Sequence, residues 1–490
     1  MTRLRTSRFR LRASSPSDSA RRATSDQSAR QAGDQIIDVD IEALAPDGDG
    51  IATSGGRRLT IPFTIPGEHV RVRVAEQPRG RTTASVVEIL RASPHRIAPR
   101  CRHFGVDAQP GLGACGGCSW QHIAYPEQLR LKTQILERLV RATVVDAPSV
   151  LPTLPATPLD RPWGYRHKVH FVFGDGESPL TMGHYVRGSR RVIPVVECPV
   201  HHERGNAFAF SARNAFAAAG LRAGQGDRRT LRSLAVRVGA RTRELMATLI
   251  VWSERDRRVR AATRRLLEQS PPTSFHVNVH DRNDPFIFGT TTRHIFGSSR
   301  MREEVGGVSF LMSPSAFFQT NVEAADILVR LVLAAIPADA RVLDLYAGSG
   351  LFAIPLAAAG HDVVAVEENR LAVADGEAAL KLNEAAGARC RFVPRRVEVA
   401  LRSFSKVDAV VLDPPREGCS PAVLREVFGR LKPAHAVYVS CNSEVLPREL
   451  ARICAHGYRI VSLQPLDMFP HTAHIESVVV LQNRQSDVTR

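Results

Sequence analysis

The chain has 490 residues, with little cysteine, very little lysine and no long apolar run. No stretch approaches the ~20 consecutive apolar residues that a membrane-spanning helix requires, which argues against a membrane partner. Eight cysteines in a chain of this length do not form a disulfide scaffold, and no apolar signal-peptide core stands near the N-terminus. These absences predict a protein of a reducing compartment, the cytoplasm.

Basic residues clearly exceed acidic ones. Lys and Arg total 66 against 49 Asp and Glu, which gives a net charge of +17. Only five of the basic residues are lysines: Lys132, Lys168, Lys381, Lys406 and Lys432. This excess favours a polyanionic partner, with nucleic acid ahead of an anionic membrane surface. Residues 1–33 are rich in Arg, Ser and Ala without an apolar period, which predicts a disordered basic tail, either a transit peptide or an RNA-contacting arm.

The pattern along the rest of the chain predicts three domains. Residues 34–93 alternate apolar and polar residues between Gly and Pro, which favours a small OB-like β-barrel that binds RNA over a β domain without a ligand. Residues 94–310 mix strands and helices, which predicts an α+β central domain. Within residues 311–490, strands alternate with helices from about Pro337, which predicts an α/β fold with a doubly wound, Rossmann-like parallel sheet.

A glycine-rich turn marks a candidate cofactor site in the last domain. The segment "ARVLDLYAGSGLFAIPLAAAG" reads as strand, turn and helix, and contains Asp344 and Gly348. The turn lacks the Lys-Ser/Thr ending of a Walker loop. The next strand ends in Glu367, where a carboxylate would bind ribose hydroxyls, and a third strand delivers Asp413 and a Pro-Pro turn. The turn alone suits NAD enzymes, but the series D-x-x-x-G-x-G, V-E-x-N and D-P-P resembles class I S-adenosylmethionine-dependent methyltransferases.

Two further residues suggest the chemistry. The strand "HAVYVSCN" ends at Cys441, at the sheet edge where open α/β sheets bind ligands, and Glu476 precedes the last apolar strand. A thiolate and a carboxylate base suit methylation of carbon 5 of a pyrimidine. The thiolate adds to carbon 6, which makes carbon 5 nucleophilic, and the base later removes the carbon 5 proton. The target base must be flipped out or unpaired. A packing role for Cys441 is the alternative.

From about Ile36 to Gln482 the chain resembles the RNA uracil-5 methyltransferases that carry an N-terminal TRAM domain and an iron–sulfur cluster. The segments "SCN", "DMFPHTAHIES" and "SPSAFFQTN" carry this resemblance. It implies 5-methyluridine formation in structured RNA, ribosomal RNA being favoured over transfer RNA, with Cys441 as nucleophile and Glu476 as base. It also implies that Phe317 stacks on or near the target base. The residues that it implies for S-adenosylmethionine are Gln319, Tyr346, Glu367 and Asp413.

Four cysteines form a candidate metal site. Cys115 and Cys118 make a C-x-x-C motif, with Cys101 upstream and Cys198 downstream. On chemistry alone four thiolates suit tetrahedral zinc or a cubane cluster, zinc being the simpler choice. The resemblance implies a [4Fe–4S] cluster, because family members hold one with Cys-Gly-Gly-Cys and a distant fourth ligand. Thirteen residues separate the first two cysteines, more than relatives often have, and "DAQPGLG" reads as an insertion.

Three other functions fit parts of the sequence. A radical S-adenosylmethionine enzyme needs a C-x-x-x-C-x-x-C triad, which this chain lacks. An RNA-binding protein with an inactive methyltransferase fold is expected to have lost Cys441 or Glu476, and both are present. An RNA cytosine-5 methyltransferase would use the same nucleophile. No obligate protein partner is implied.

Overall fold

The computed structural model describes residues 35–77, 81–105, 113–174, 180–223, 230–284 and 286–487. The predicted basic tail and most of the predicted insertion lie outside these residues. The chain divides into two compact units. The first comprises the residues up to Ala43 with Asp49–Ser93, and the second Leu44–Gly48 with the residues from Pro94 onward. Within the described ranges, no helix is long and apolar enough to cross a membrane.

The first unit is built from short strands around one apolar core. Its region contains β1 (Gln35–Asp40), β2 (Ala43–Leu44), β3 (Gly50–Ser54), β4 (Arg57–Ile61), β5 (His69–Gln77) and β6 (Arg81–Arg91). Strands β1, β5 and β6 form an antiparallel sheet in that order, and β3 and β4 form a hairpin. The hairpin turns at Gly55 and Gly56, which both have positive φ. Alternate residues such as Val39, Val70 and Val72 are buried together. The predicted small β unit is confirmed.

The central part of the second unit is a seven-stranded sheet in the order β10-β9-β8-β11-β12-β13-β14. All pairs are antiparallel except β12 with β13. Its apolar face packs on two helices, with Phe171 and Phe216 fully buried. The elements are α1 (Tyr125–Arg141), β7 (Leu154–Pro155), β8 (Lys168–Gly174), β9 (Thr181–Tyr185), β10 (Val192–Pro194), α2 (Glu203–Ala218), β11 (Leu231–Val238), β12 (Leu245–Val251), α3 (Arg257–Gln269), β13 (Ser274–Val279) and β14 (Thr291–Gly297).

The C-terminal part holds the elements that carry the predicted cofactor and catalytic residues. The strands are β15 (Met301–Val305), β16 (Val308–Met312), β17 (Arg341–Leu345), β18 (Asp362–Glu367), β19 (Cys390–Pro394), β20 (Ala409–Leu412), β21 (His435–Ser440), β22 (Tyr458–Asp467) and β23 (Glu476–Asn483). The helices are α4 (Val322–Ala335), α5 (Ala353–Ala358), α6 (Arg370–Leu380), α7 (Glu384–Gly387), α8 (Val397–Ala400), α9 (Pro421–Leu424) and α10 (Leu446–Ala455), with a π-helical turn at Arg425–Leu431 and 3₁₀ turns at Leu401–Ser403 and Arg484–Asp487.

Strands β17 to β23, together with β7, form an eight-stranded sheet in the order β19-β18-β17-β20-β21-β23-β22-β7, and β15 and β16 form a separate two-stranded sheet. The strands β17 to β21 run parallel, and β23 runs antiparallel to both of its neighbours. Continuous apolar runs such as β20 are buried because both faces of a doubly wound sheet are covered. After β17 the chain adds β18 and β19 on one side of β17, and β20 then pairs with the other side of β17. A ligand crevice therefore opens at the carboxyl ends of β17 and β20. The predicted α/β fold is confirmed.

Candidate active site

The glycine-rich turn after β17 is fixed to the end of β18. Tyr346 and Gly350 have φ values of 63° and 90°, and a Cβ at Gly350 would lie 2.9 Å from atoms of Ile354 and Phe392. The space at this turn therefore requires glycine. The Gly348 N–H donates to Glu367 Oε2 at 2.9 Å. Four of the predicted cofactor residues therefore lie on or next to one turn: Asp344, Tyr346, Gly348 and Glu367.

A buried and a partly buried carboxyl group, those of Asp344 and Asp413, lie at the ends of β17 and β20. Asp344 is 0% exposed, and neither carboxylate oxygen has a hydrogen-bond partner of normal geometry among the described residues. Burial, followed by the charge of Asp413, raises the pKa of Asp344 well above its usual range. Burial also raises the pKa of Asp413 to about 7. Such a set fits a ligand with positive charge, as the sulfonium and ammonium groups of S-adenosylmethionine provide.

Strand register places the two predicted catalytic residues side by side. Ser440 pairs with Ser477 in the antiparallel ladder between β21 and β23. The next residues outward are Cys441 on one strand and Glu476 on the other. Burial, then the charges of Glu476 and Asp413, raises the pKa of the Cys441 thiol to about 11. The thiol and both carboxyl groups therefore face one common space.

Arg416 supplies the opposing charge at this edge. Its backbone carbonyl accepts a 2.9 Å hydrogen bond from Asn442 Nδ2, which ties the loop after β20 to the turn after β21. Burial and Asp413 raise the pKa of Glu476 well above its usual range, and Arg416 acts against that increase. Arg416 lowers the pKa of Cys441 in the same way. The guanidinium therefore favours the ionised forms of both groups.

Replacing Arg416 with Gln is expected to shift the pH profile of kcat/KM for methyl transfer to higher pH, because the pKa values of Cys441 and Glu476 both rise when the positive charge is lost. Activity that needs the thiolate increases with pH, so the variant loses about threefold at pH 7 and recovers at higher pH. The profile is measured with labelled cofactor, beside the exposed control Arg448→Gln. An unshifted profile would contradict this role.

The segment before α4 carries Phe317 and Gln319. Phe317 is 72% exposed, whereas Phe318 is buried with its ring centroid 5.3 Å from that of Phe310. Asn321 caps α4 by accepting from the Ala324 N–H, and its Nδ2 donates to the Met468 carbonyl at 3.0 Å. This second bond fixes the segment to the loop that leads to the Glu476 strand. Phe317 is thus an exposed aromatic residue in a segment that is bonded to that loop.

A buried lysine, which the sequence reading missed as a site residue, organises the same loop. Lys132 on α1 is fully buried, and its Nζ donates to Asp467 Oδ1 at 2.5 Å and to the carbonyls of His474 and Phe469 at 2.8 and 3.2 Å. The partners lie more than 330 residues away along the chain. One signal was present in the sequence, since lysine is scarce and this one interrupts the apolar face of a helix.

The loop is also bonded to the segment that follows Cys118. The carbonyl of His471 accepts from the N–H groups of Ser119 and Trp120 at 3.0 and 2.9 Å. The N–H of His471 donates to Gln128 Oε1 at 2.8 Å, and its ring stacks on Trp163 with centroids 3.8 Å apart. His471 therefore positions the loop between the cysteine segment and α1.

Replacing Lys132 with Met is expected to lower the free energy of unfolding by about 3–5 kcal/mol, because the buried Asp467 carboxylate loses its cation. Urea denaturation followed by circular dichroism measures the change. The control Lys381→Met removes an exposed lysine and should stay within about 0.5 kcal/mol of the parent. Equal stability of the two variants would contradict the structural role of this ion pair.

The four predicted metal-binding cysteines line one cavity of about 650 Å³ in the central part. Burial raises the pKa of Cys115 to about 11 and that of Cys198 to about 12, and each of the two is raised further by neighbouring thiols. Burial also raises the pKa of Cys101 and that of Cys118. Among the described residues, however, no group of three or more His, Cys, Asp or Glu is arranged to hold a metal ion. The thiols share a cavity but do not converge on a single ion position.

Comparisons with known proteins identify the family of the chain. The profile of the tRNA (uracil-5-)-methyltransferase family matches residues 236–484, and that of the TRAM domain of tRNA (uracil(54)-C(5))-methyltransferase matches residues 37–95. Uncharacterized RNA methyltransferases from Gloeobacter violaceus and Halalkalibacterium halodurans are 35% and 32% identical. Each alignment covers 91% of this chain and 96% or 97% of the relative.

A solved structure shares the fold. The tRNA (uracil-54, C5)-methyltransferase of Pyrococcus abyssi, in complex with S-adenosyl-L-homocysteine, superposes with a TM-score of 0.73 at 24% identity, over 91% of this chain and 100% of that chain. The family match spans the sheet that carries Cys441 and Glu476, and the relatives are aligned over nearly their full length. The chain therefore belongs to the tRNA (uracil-5-)-methyltransferase family, which consists of S-adenosylmethionine-dependent enzymes that methylate uracil in RNA.

Proposed function

We propose that this protein methylates carbon 5 of a uridine in structured RNA through a covalent adduct between Cys441 and carbon 6. The observation that carries this proposal is the strand register that sets Cys441 beside Glu476 at the carboxyl edge of the sheet. A thiol and a carboxyl group next to buried acidic side chains match the two tasks of the reaction, addition to carbon 6 and removal of the carbon 5 proton.

The reaction balances with these residues. The Cys441 thiolate forms a bond to carbon 6, and the electron pair of the broken double bond makes carbon 5 nucleophilic. S-adenosylmethionine, when bound, supplies the methyl group. Glu476 then takes the proton from carbon 5, the carbon–sulfur bond breaks, and the thiolate is regenerated. Burial raises the pKa of Glu476, which makes its carboxylate a stronger base for this step.

The remaining predicted residues are assigned to binding. We propose that Asp344, Asp413 and Glu367 hold the cationic and ribose parts of S-adenosylmethionine, because their carboxyl groups surround the crevice beside the glycine-rich turn. Tyr346, Gly348 and Gln319 complete that site. Phe317 is assigned to the target base, because it is an exposed aromatic residue in the segment that Asn321 bonds to the loop leading to Glu476. Stacking on such a ring stabilises an unpaired base.

The cysteine cavity is assigned to a [4Fe–4S] cluster held by Cys101, Cys115, Cys118 and Cys198. The support is the donor set, one buried and three partly buried thiols around one cavity, which a metal centre would convert to thiolates. A cluster places its ligands around several metal ions, whereas zinc needs all four sulfurs at about 2.3 Å from one ion. Iron, sulfide and zinc analysis of protein purified without oxygen tests this assignment; zinc without iron would overturn it.

Substrate and location are further parts of the proposal. Ribosomal RNA as the preferred substrate stays a prediction. Both family descriptions and the structural neighbour name tRNA, and the TRAM-domain description and the neighbour name uracil 54. Methyl transfer to ribosomal RNA transcripts and to transfer RNA transcripts, measured side by side, distinguishes the two substrates. The cytoplasmic location, predicted from the cysteine content, is also retained as a proposal.

The function is tested by transfer of labelled methyl groups from S-adenosylmethionine to undermethylated total RNA, followed by nucleoside analysis. Label in 5-methyluridine is the expected result. Label in 5-methylcytidine would agree with the same mechanism but would show that the substrate base is cytosine. An unlabelled product, with RNA binding intact, would instead support an RNA-binding protein with an inactive methyltransferase fold.

A further inference from the structure

We propose that the central sheet carries a second RNA site, a pocket that takes one unstacked nucleotide of the substrate away from the reacting base. The pocket has a volume of about 810 Å³, and its described lining residues lie between His170 and Ile287. None of those lining residues belongs to the sheet that holds Cys441, so the pocket is separate from the candidate active site. This inference rests on the proposed function because it takes the ligand from the RNA substrate.

Aromatic side chains form the walls of the pocket. Tyr185 is 47% exposed and Phe286 is 69% exposed, although both are large aromatic residues. Trp252 also lines the pocket, and the Arg232 guanidinium carbon is 4.4 Å from the centroid of its ring. Bases stack on aromatic rings and on arginine planes without sequence preference. These walls therefore fit a planar, unstacked base.

Two polar atoms along the pocket have no hydrogen-bond partner among the described residues. Ser233 on β11 is 2% exposed, and its Oγ makes no hydrogen bond to any described residue. His170 Nε2 on the neighbouring strand β8 has none either. Buried polar atoms are nearly always hydrogen-bonded, because leaving one unpaired is costly. The edge of a nucleobase offers both donors and acceptors to such groups.

The charge at the rim suits a phosphate. Arg190 and Arg191, in the turn between β9 and β10, line the pocket. The one described acidic residue of the lining, Asp284, is already engaged by His280 Nε2 at 2.9 Å and by the Phe286 N–H at 3.1 Å. Arginine binds phosphate oxygens through charge-assisted hydrogen bonds. A base between the aromatic walls and its phosphate at the rim together make one nucleotide.

The arginine turn is held rigidly by the segment that carries the cysteines. The N–H of Arg187 donates to the Ala114 carbonyl at 3.0 Å, and the N–H of Gly116 donates to the Tyr185 carbonyl at 2.9 Å. The wall and the rim of the pocket are therefore attached to the loop around Cys115. A preformed pocket loses less conformational freedom when it binds a nucleotide.

The test uses the full-length protein and an undermethylated RNA transcript that the parent binds. Tyr185→Ala combined with Phe286→Ala is expected to raise the Kd and the KM for RNA about tenfold or more, with kcat at saturating RNA retained. The matched control is Phe296→Ala, which removes a partly exposed phenylalanine from the edge strand β14. It should leave the Kd within about twofold of the parent.

Ser233→Ala separates binding from packing. If the hydroxyl only fills space, its removal leaves the Kd unchanged; if it contacts RNA, the Kd rises about threefold or more while Tm stays equal or increases. Parent-like Kd values in both pocket variants would overturn the inference. Binding of free uridine or adenosine monophosphate that depends on Ser233, without any change in RNA affinity, would overturn the assignment to RNA. If the parent forms no 5-methyluridine but the pocket variants still bind RNA more weakly, the proposed function is refuted and the pocket inference stands.

Discussion

Cys441→Ala is expected to lower the rate of methyl transfer by about 10⁴-fold or more. Carbon 5 of uracil is too weak a nucleophile to attack a sulfonium methyl group unless a thiolate has first added to carbon 6. The thiol lies beside Glu476 and Asp413 at the sheet edge. Single-turnover transfer of labelled methyl to RNA measures the loss.

The variant must fold and bind RNA for this result to count. Cys454→Ala is the matched control, because it removes another partly buried thiol from α10. Its rate should equal that of the parent enzyme. Activity of Cys441→Ala within about tenfold of the parent would contradict a nucleophilic role and would return this cysteine to packing.

Glu476→Gln is expected to stop turnover after methyl transfer and to leave the RNA attached to the protein. The amide has nearly the same shape but cannot accept the carbon 5 proton, so the carbon–sulfur bond to Cys441 cannot break. We expect kcat to fall by about 10²- to 10⁴-fold. Denaturing electrophoresis with labelled cofactor detects the complex as methyl label that migrates with protein and RNA together.

Glu444→Gln is the control for this experiment. Glu444 is exposed and only three residues from Cys441, so its replacement tests the loss of one negative charge near the thiol. It should release product at the parent rate. Normal turnover of Glu476→Gln would assign proton removal to another group. Low turnover without a covalent complex would mean that Glu476 acts in a step before methyl transfer.

Much of the site follows from sequence because parallel strands end at the same edge. The glycine-rich turn, Glu367 and Asp413 each follow a buried strand, and the doubly wound order brings those ends together. The closeness of Cys441 and Glu476 does not follow from this rule for parallel strands. It depends on β23 inserting antiparallel beside β21, and strand order and direction are set by packing of the whole sheet.

Contacts between distant segments did not follow from the sequence. Lys132 bonds Asp467 across 335 residues, and His471 joins the segment after Cys118, because a helix and two loops meet in the folded chain. The pocket near Ser233 was missed for a similar reason. Its aromatic walls come from separate strands and loops of the central sheet, and no local pattern marks residues that face the same cavity.

Incubation of the parent enzyme with S-adenosylmethionine and a substrate transcript that contains 5-fluorouridine tests the covalent mechanism most directly. Fluorine replaces the carbon 5 proton, and a carboxylate base cannot remove it, so the adduct should persist. The mechanism predicts a protein–RNA complex that carries one methyl group and yields, after digestion, a nucleotide on the peptide with Cys441. A transcript that remains free, or a nucleotide bound to any other residue, would contradict it.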